Sequence, residues 1–311
     1  MSAQQNLHLQ GWTTRHIELH WRQPPPVGDG PYREVVVFEL EATGQGGRRH
    51  TARAEVAPLP GLHRTTLDEA VAATAHWLET HQGRTLPRWE EFESEPLLCS
   101  LSGPARTGLE GALIELWASL HQVRPDILWG RILDTNPAGS IHLNALVSGS
   151  GDSLAEQVQR SLESGYRTIK LKVGRSTIDE DLHRTVAVDA VLASARRDGL
   201  PVSLRLDANR AWSLEQASLF AQGLGDRPIE YLEEPLVHAE DLEALHLRTG
   251  IPLAIDESAV GSPLSTWRHR PGIVALVLKP SVRKAGGTEG PGAEPAGEGA
   301  EELPVALVVD A

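Results

Sequence analysis

Five short runs decide how this chain folds: TIKLKVG (168–174), SLRLDAN (203–209), IEYLEEP (229–235), PLAIDES (252–258) and ALVLKPS (275–281). Each is a β-prone apolar stretch that ends on charge. Lys172, Asp207, Glu233, Asp256 and Lys279 follow one another at steps of 35, 26, 23 and 23 residues. One βαβ unit takes about 30 residues, so a charged group recurs about once per strand–helix unit. Helix-like segments lie between the runs (DEDLHRTVAVDAVLASARRDG, SLEQASLFAQGLG, DLEALHLRTG), and IHLNALVSG with SLAEQVQRSLESG precedes them. This alternation predicts an α/β protein with a parallel sheet, and its even period favours a (β/α) barrel over an open doubly wound sheet.

Alternate residues of a strand share a face. Lys170 therefore lies beside Lys172, and Arg205 lies with Asp207 and Asn209, while Leu171, Leu204 and Leu206 turn to the surrounding helices. The charged set is expected to face the barrel lumen near its C-terminal mouth. Burying an unpaired charge costs several kcal/mol, so this set needs counter-charges. Asp207, Glu233 and Asp256 end three successive strands with no His or Cys among them. Such hard oxygen donors suit Mg²⁺ better than Zn²⁺. Acidic residues after strands also serve as helix N-caps, but three in succession weigh against that reading. Lys172 and Lys279 flank the carboxylates. A lysine with a lowered pKa serves as a general base; the alternative, a salt-bridge network with the carboxylates, stays open.

Upstream, HIELHW, REVVVFELEA and RHTARAEVAPL read as an antiparallel meander, with turns at QPPPVGDGP and GQGG. His16 and His20 lie four apart, but in a strand that spacing has no helical meaning and both are read as structural. APLPG (57–61) is a rigid loop. TTLDEAVAATAHWLETH opens on a Thr cap and an acidic first turn, and GLEGALIELWASLHQ is a second helix. The expected organisation is an α+β unit over 1–135, a barrel over 136–282 and a tail over 283–311. Residues 284–302 contain no Val, Ile, Leu, Met or aromatic residue and carry helix-breaking Gly and Pro. LPVALVVDA is a candidate seventh strand. The barrel is thus expected to be incomplete after strand 6–7, as an out-of-frame or truncated reading would leave it.

A net charge of −13 over 311 residues argues against a nucleic-acid partner, which needs a basic patch. Cys99 is the single cysteine, which excludes an intrachain disulfide and a CxxC metal site; it reads as a small buried hydrophobe. The N-terminus lacks a basic start followed by an apolar core, and no apolar run approaches the roughly 20 residues of a membrane span. A soluble cytoplasmic protein is the expectation, and the sequence carries no signal for an oligomeric state.

KLK, RLDAN, LEEP, DES and LKP in this order resemble the enolase superfamily. More narrowly, AEVAPLPGLHRTTLDEA, LEGALIELWAS, IHLNALVSG and RLDANRAW resemble its o-succinylbenzoate synthase family, and the likeness covers roughly residues 33 to 281. The resemblance implies an enolase-type barrel with an N-terminal α+β capping domain. It also implies a Mg²⁺-dependent carbon–oxygen lyase, with Mn²⁺ as a substitute ion. That enzyme dehydrates 2-succinyl-6-hydroxy-2,4-cyclohexadiene-1-carboxylate to 2-succinylbenzoate in menaquinone or phylloquinone biosynthesis. Asp207, Glu233 and Asp256 would then bind the metal, with Glu234 behind them. Lys172 would remove the α-proton and then assist loss of the hydroxyl, by way of a metal-stabilised enediolate. Lys279 would hold the opposite ring face by a cation–π contact. Lys170, Arg205 and Asn209 would support ligands and base, and Pro58, Pro60 and Gly61 would lie near a small-molecule carboxylate substrate. Two alternatives remain. One is an N-acylamino acid racemase or dipeptide epimerase of the same superfamily, with a lysine on each face. The other, of a different class, is a non-catalytic remnant whose incomplete barrel cannot hold a site.

Overall fold

The computed structural model describes residues 6–20, 32–132, 141–260, 262, 265–282 and 305–307. The chain divides into two compact units, Met1–Ala138 with Pro280–Pro295 and Gly139–Lys279 with Ala296–Ala311. The predicted turn at 23–31 and the Gly/Pro/Glu-rich stretch at 284–302 lie outside the described residues.

The first unit is built on an antiparallel sheet of β1 (His8–His20), β2 (Tyr32–Thr43) and β3 (Arg49–Val56), in that order. β1 begins at His8 rather than at His16, because a register shift between Leu9 and Gly11 hides the alternation there. Four helices follow: α1 (Leu67–His81), α2 (Pro96–Ser100), α3 (Gly103–His121) and α4 (Pro125–Ile132). Thr66 caps α1 in a reciprocal capping box with Glu69. α3 starts at Gly103, earlier than its apolar periodicity suggests, with a proline in its first turn. It lies so close to β3 that a Cβ on Gly108 would stand 2.3 Å from the Glu55 carbonyl oxygen. Phe38, Trp77 and Trp117, each no more than 1% exposed, anchor this core. His16 and His20 are exposed on β1. Cys99 is half-buried rather than buried, its thiol directed at the carbonyl oxygens of Phe92 and Glu93.

The second unit alternates as the sequence predicts. Its elements are β4 (Asn144–Val147), α5 (Asp152–Glu163), β5 (Thr168–Lys172), α6 (Ile178–Arg197), β6 (Ser203–Asp207) and α7 (Leu214–Leu224). Then come β7 (Tyr231–Glu233), α8 (Leu242–Thr249), β8 (Leu253–Ile255), α9 (Ser265–Arg268), β9 (Ile273–Leu278) and β10 (Val305–Leu307). The strands pair in parallel and in chain order from β4 to β10. β10 is the seventh strand, from LPVALVVDA. Among the described residues β4 and β10 remain unjoined edges, so the sheet is an incomplete (β/α) barrel.

The two faces of this sheet have separate cores. Leu171, Leu204, Leu206 and Leu232 are fully buried in the apolar layer that α5 to α8 cover. On the other face Tyr231, Ala254 and Ala275 form a small cluster of their own. Lys170, Asp207 and Glu233 are buried without joining either apolar cluster. No described helix is long and apolar enough to cross a membrane.

Candidate active site

Strand pairing sets the layout. Lys172 on β5 is level with Asp207 on β6, which is level with Glu233 on β7, and Asp256 follows the last residue of β8. These side chains meet at the C-terminal ends of the strands. Lys170 Nζ lies 2.8 Å from Asp207 Oδ2 and donates to both oxygens of Glu233, at 2.8 and 2.6 Å. Lys172 Nζ donates to Asp207 Oδ2 at 2.5 Å and Asn209 Oδ1 at 2.6 Å. Lys279 pairs with Asp256 and lies 3.6 Å from Glu257. The lysines thus sit on either flank of the three carboxylates, with Lys170 between two of them.

Burial and charge set the ionisation. Burial pushes the Glu233 carboxyl up, the neighbouring Asp207 charge adds to it, and Lys170 only partly offsets them, leaving a pKa of about 7. Asp256 is pushed up by burial to about 6, against the pull of Lys279. Burial also opposes the charge on Asp207, but Lys170 and Lys172 outweigh it and hold this carboxyl below the ordinary aspartate value. Lys170 is desolvated, yet the attraction of Asp207 and Glu233 prevails and its pKa is raised. Lys170 is therefore a permanent cation.

The supporting residues separate into two groups. Glu234, held at φ 43°, accepts the backbone N–H of Asp256 (2.7 Å), the N–H of Ser258 (2.8 Å) and the Ser258 hydroxyl (2.7 Å). It ties the end of β7 to the turn after β8. Asn209 receives the N–H···O bond of Lys172 and donates to Glu257 at 3.4 Å. Arg205 instead turns one layer deeper, toward Glu230 (2.6 Å), Asn144 (3.3 Å) and the Tyr231 ring (5.0 Å). Pro58, Pro60 and Gly61 belong to the first compact unit, where Pro60 pairs with His63 and Gly61 takes φ 85°.

Sequence reasoning missed Tyr231, Glu257 and Ser258. Tyr231 stands two residues before Glu233, so the alternation that grouped Lys170 with Lys172 places it on the lumen face. Burial pushes its phenol up to about 12. Ser258 and Glu257 adjoin Asp256 in DES, where no periodicity singles them out.

A divalent cation fits the donor chemistry. Asp207, Glu233 and Asp256 are three hard oxygen donors no more than 5% exposed, and their mutual repulsion is what a cation relieves. Among the described residues no three His, Cys, Asp or Glu groups converge as a ready cage. The lysine ammonium groups occupy the carboxylate oxygens, so a metal would have to take those oxygens over.

The enolase C-terminal domain-like family matches residues 153–290. The chain is 30% identical over 240 residues to an o-succinylbenzoate synthase of Aliivibrio fischeri, covering 75% of this chain and 62% of that one. It is 32% identical over 233 residues to the o-succinylbenzoate synthase of an Enterobacter species, covering 73% and 61%. Protein PHYLLO, chloroplastic, of Arabidopsis thaliana is 34% identical over 197 residues, 59% of this chain and 11% of PHYLLO. The chain thus spans less than two thirds of the length of these curated relatives. Among solved structures, the substrate-liganded L-Ala-D/L-Glu epimerase of Bacillus subtilis superposes with a TM-score of 0.71 at 22% identity, covering 89% of this chain and 76% of that one. The dipeptide epimerase of Enterococcus faecalis, complexed with Mg and L-Leu-L-Tyr, superposes at 0.69 and 18% identity, covering 89% and 76%. With the ordered motifs, the parallel sheet and the carboxylate–lysine rim, these matches lead to one conclusion: residues 153–290 form an enolase C-terminal domain-like segment.

Proposed function

We propose that the chain is a divalent-metal-dependent carbon–oxygen lyase of the o-succinylbenzoate synthase kind. The reaction is dehydration of 2-succinyl-6-hydroxy-2,4-cyclohexadiene-1-carboxylate to 2-succinylbenzoate. The observation that carries this reading is the rim itself: three buried carboxylates on successive strand ends with a lysine on each flank. The roughly 30% identity to two synthases adds to it.

Asp207, Glu233 and Asp256 would hold Mg²⁺. When bound, the ion supplies electrophilic stabilisation of the charge that builds up on the substrate carboxylate. Lys172 takes the proton from the ring carbon next to that carboxylate. The C–H electrons form a ring double bond as the C–O bond breaks, and Lys172 Nζ returns its proton to the departing hydroxyl, which leaves as water. Lys170 stays protonated and balances Asp207 and Glu233, so it does not compete as a base. Asn209 orients Lys172. Lys279, on the other flank, offers its ammonium to the opposite face of the ring. Glu234 keeps the turn that carries Asp256 in place.

The test is direct. The purified chain is incubated with the cyclohexadiene carboxylate in Mg²⁺ and in EDTA, and 2-succinylbenzoate is followed. Mg²⁺-dependent product, lost in EDTA and reduced about 10²–10⁴-fold in Lys172→Ala, supports the reading. A lysine on each flank also suits a racemase or dipeptide epimerase. Racemisation of N-succinyl amino acids without dehydration would replace the synthase by that activity. No turnover, no metal response and no melting transition would leave a non-catalytic remnant.

A further inference from the structure

Asp181 is a fully buried carboxylate to which the reaction assigns no part. It lies in the first turn of α6, outside the lumen. Its Oδ2 accepts the backbone N–H of Gly174 at 2.7 Å, and its Oδ1 accepts from Arg184 NH1 at 2.9 Å. The same arginine donates through Nε to the carbonyl oxygen of Gly149 at 2.7 Å. One ion pair therefore grips two loops: the one that leaves β4 and the one that leaves β5.

The loop after β5 begins directly at Lys172. The Val173 N–H donates to the Asp207 carbonyl at 2.9 Å, and the next N–H, of Gly174, goes to Asp181. Gly174 takes φ 81°, and a Cβ there would meet the Ala211 methyl at 2.6 Å and the Ala208 oxygen at 2.8 Å. The loop is thus pressed against the β6 loop that carries Asn209, the partner of Lys172. A carboxylate removed from water costs several kcal/mol unless it is paired and hydrogen-bonded. Here it is both: one partner, the Gly174 N–H, lies on the loop that follows the lysine, and the other, Arg184, ties that loop's anchor to Gly149 after β4.

We propose that the buried Asp181–Arg184 pair is a positioning device for Lys172, fixing from behind the strand the place at which its ammonium meets Asp207 and Asn209. The inference rests on the proposed reaction only for its kinetic readout. Asp181→Asn keeps the volume and one acceptor but loses the charge that holds Arg184. Arg184→Lys keeps the charge but loses the fork that reaches Gly149. A base displaced by about 1 Å costs on the order of 10²-fold in rate. Asp181→Asn is therefore expected to lower kcat by tenfold or more with KM unchanged within about twofold, and Arg184→Lys to lie between it and the parent.

A second readout needs no substrate. Competitive acetylation of all lysines, read by mass spectrometry well below the melting temperature, reports how firmly each amine is held. Asp181→Asn should raise labelling of Lys172 several-fold relative to the parent while Lys279, on another strand, keeps its rate. Equal Lys172 labelling in the parent and both variants, or a loss confined to melting temperature, overturns the proposal. Absence of dehydration by the parent chain overturns the reaction, and the labelling still decides the positioning. If Asp181→Asn does not fold, Arg184→Lys and Arg184→Gln carry both readouts.

Discussion

Arg53 on β3 meets Glu39 on β2 at 3.1 Å, with the two side chains 69% and 45% exposed. Lys170 on β5 meets Asp207 and Glu233 at 2.8 and 2.6 Å, with all three side chains at least nine-tenths hidden. The chemistry is the same and the surroundings are opposite. An exposed pair contributes about 0–1 kcal/mol. A buried one forfeits hydration that its attraction scarcely returns, and apolar residues of similar volume often do as well. Backbone strain follows the same division. Asn209, Arg210 and Glu234 hold positive φ at the strand ends of the barrel unit, whereas the first unit has Gln122 alone among its described non-glycine residues, at the end of α3. One sheet is built for cohesion; the other carries buried charges and positive-φ residues at its strand ends, where the proposed reaction would use them.

The contrast breaks first at Lys170. Lys170→Met leaves Glu233 buried beside Asp207 without its cation, Lys172 remaining on Asp207 alone, and is expected to destabilise the metal-free chain by about 3–5 kcal/mol in urea unfolding. Added Mg²⁺ should return part of that loss by mass action. A change below 1 kcal/mol would mean that the rim pair is no different from the surface one.

The pH dependence comes next. Glu233 and Asp256 have raised folded-state values, about 7 and 6, so between pH 4.5 and 7 the folded state binds more protons than the unfolded. Stability from these two groups is present at low pH and lost as pH rises through 6 and 7. Asp207, lowered, runs the other way and contributes only its acid-side loss. The contribution of these two groups to the metal-free melting temperature should therefore fall between pH 4.5 and 7 and level off above it, and the stabilisation by Mg²⁺ should grow over the same range. A metal-free curve that rises across it would refute the assignment.

Ser258→Ala removes one hydroxyl bond to a buried carboxylate, and about 1.5–3 kcal/mol of stability is expected to go with it; Ser258→Thr should retain most of it. Arg53→Ala should cost less than about 1 kcal/mol and leave Mg²⁺-dependent stabilisation unchanged. These two substitutions sharpen the comparison, since each deletes one partner of a carboxylate, a hydroxyl at a buried one and a guanidinium at an exposed one.

Much of this was legible in the sequence because two periodicities carry it. The period of two on β5 and β6 separated Leu171, Leu204 and Leu206 from Lys170, Lys172, Arg205 and Asp207 before any coordinate, and the spacing of the charges marked the strands. What alternation does not encode is distance along the lumen. Arg205 and Asp207 share a face, yet one turns to Glu230 and the other to two lysines, because successive same-face residues occupy successive layers. Asp181 was illegible for a related reason. In DEDLHRT it is one acid of a helix's first turn, and nothing local distinguishes it from Asp179 or Glu180, which face water. The start of β1 was hidden by a bulge, and that of α3 by a Gly–Pro pair which ordinarily reads as a loop.

Gly108 and Gly174 have a further consequence, for anyone reading tolerance to substitution as a map of function. One permits a helix to rest against a strand, and the other lets two loops touch behind a lysine; at both, a single methyl group meets backbone atoms closer than 3 Å. A saturation scan would rank them alongside Lys172 as positions that accept almost nothing, although neither bears a reactive group. Scored by growth alone, spatial crowding and chemistry would look alike. Scored by abundance and turnover separately, the glycines would fall out with the fold and the lysine with the proposed reaction.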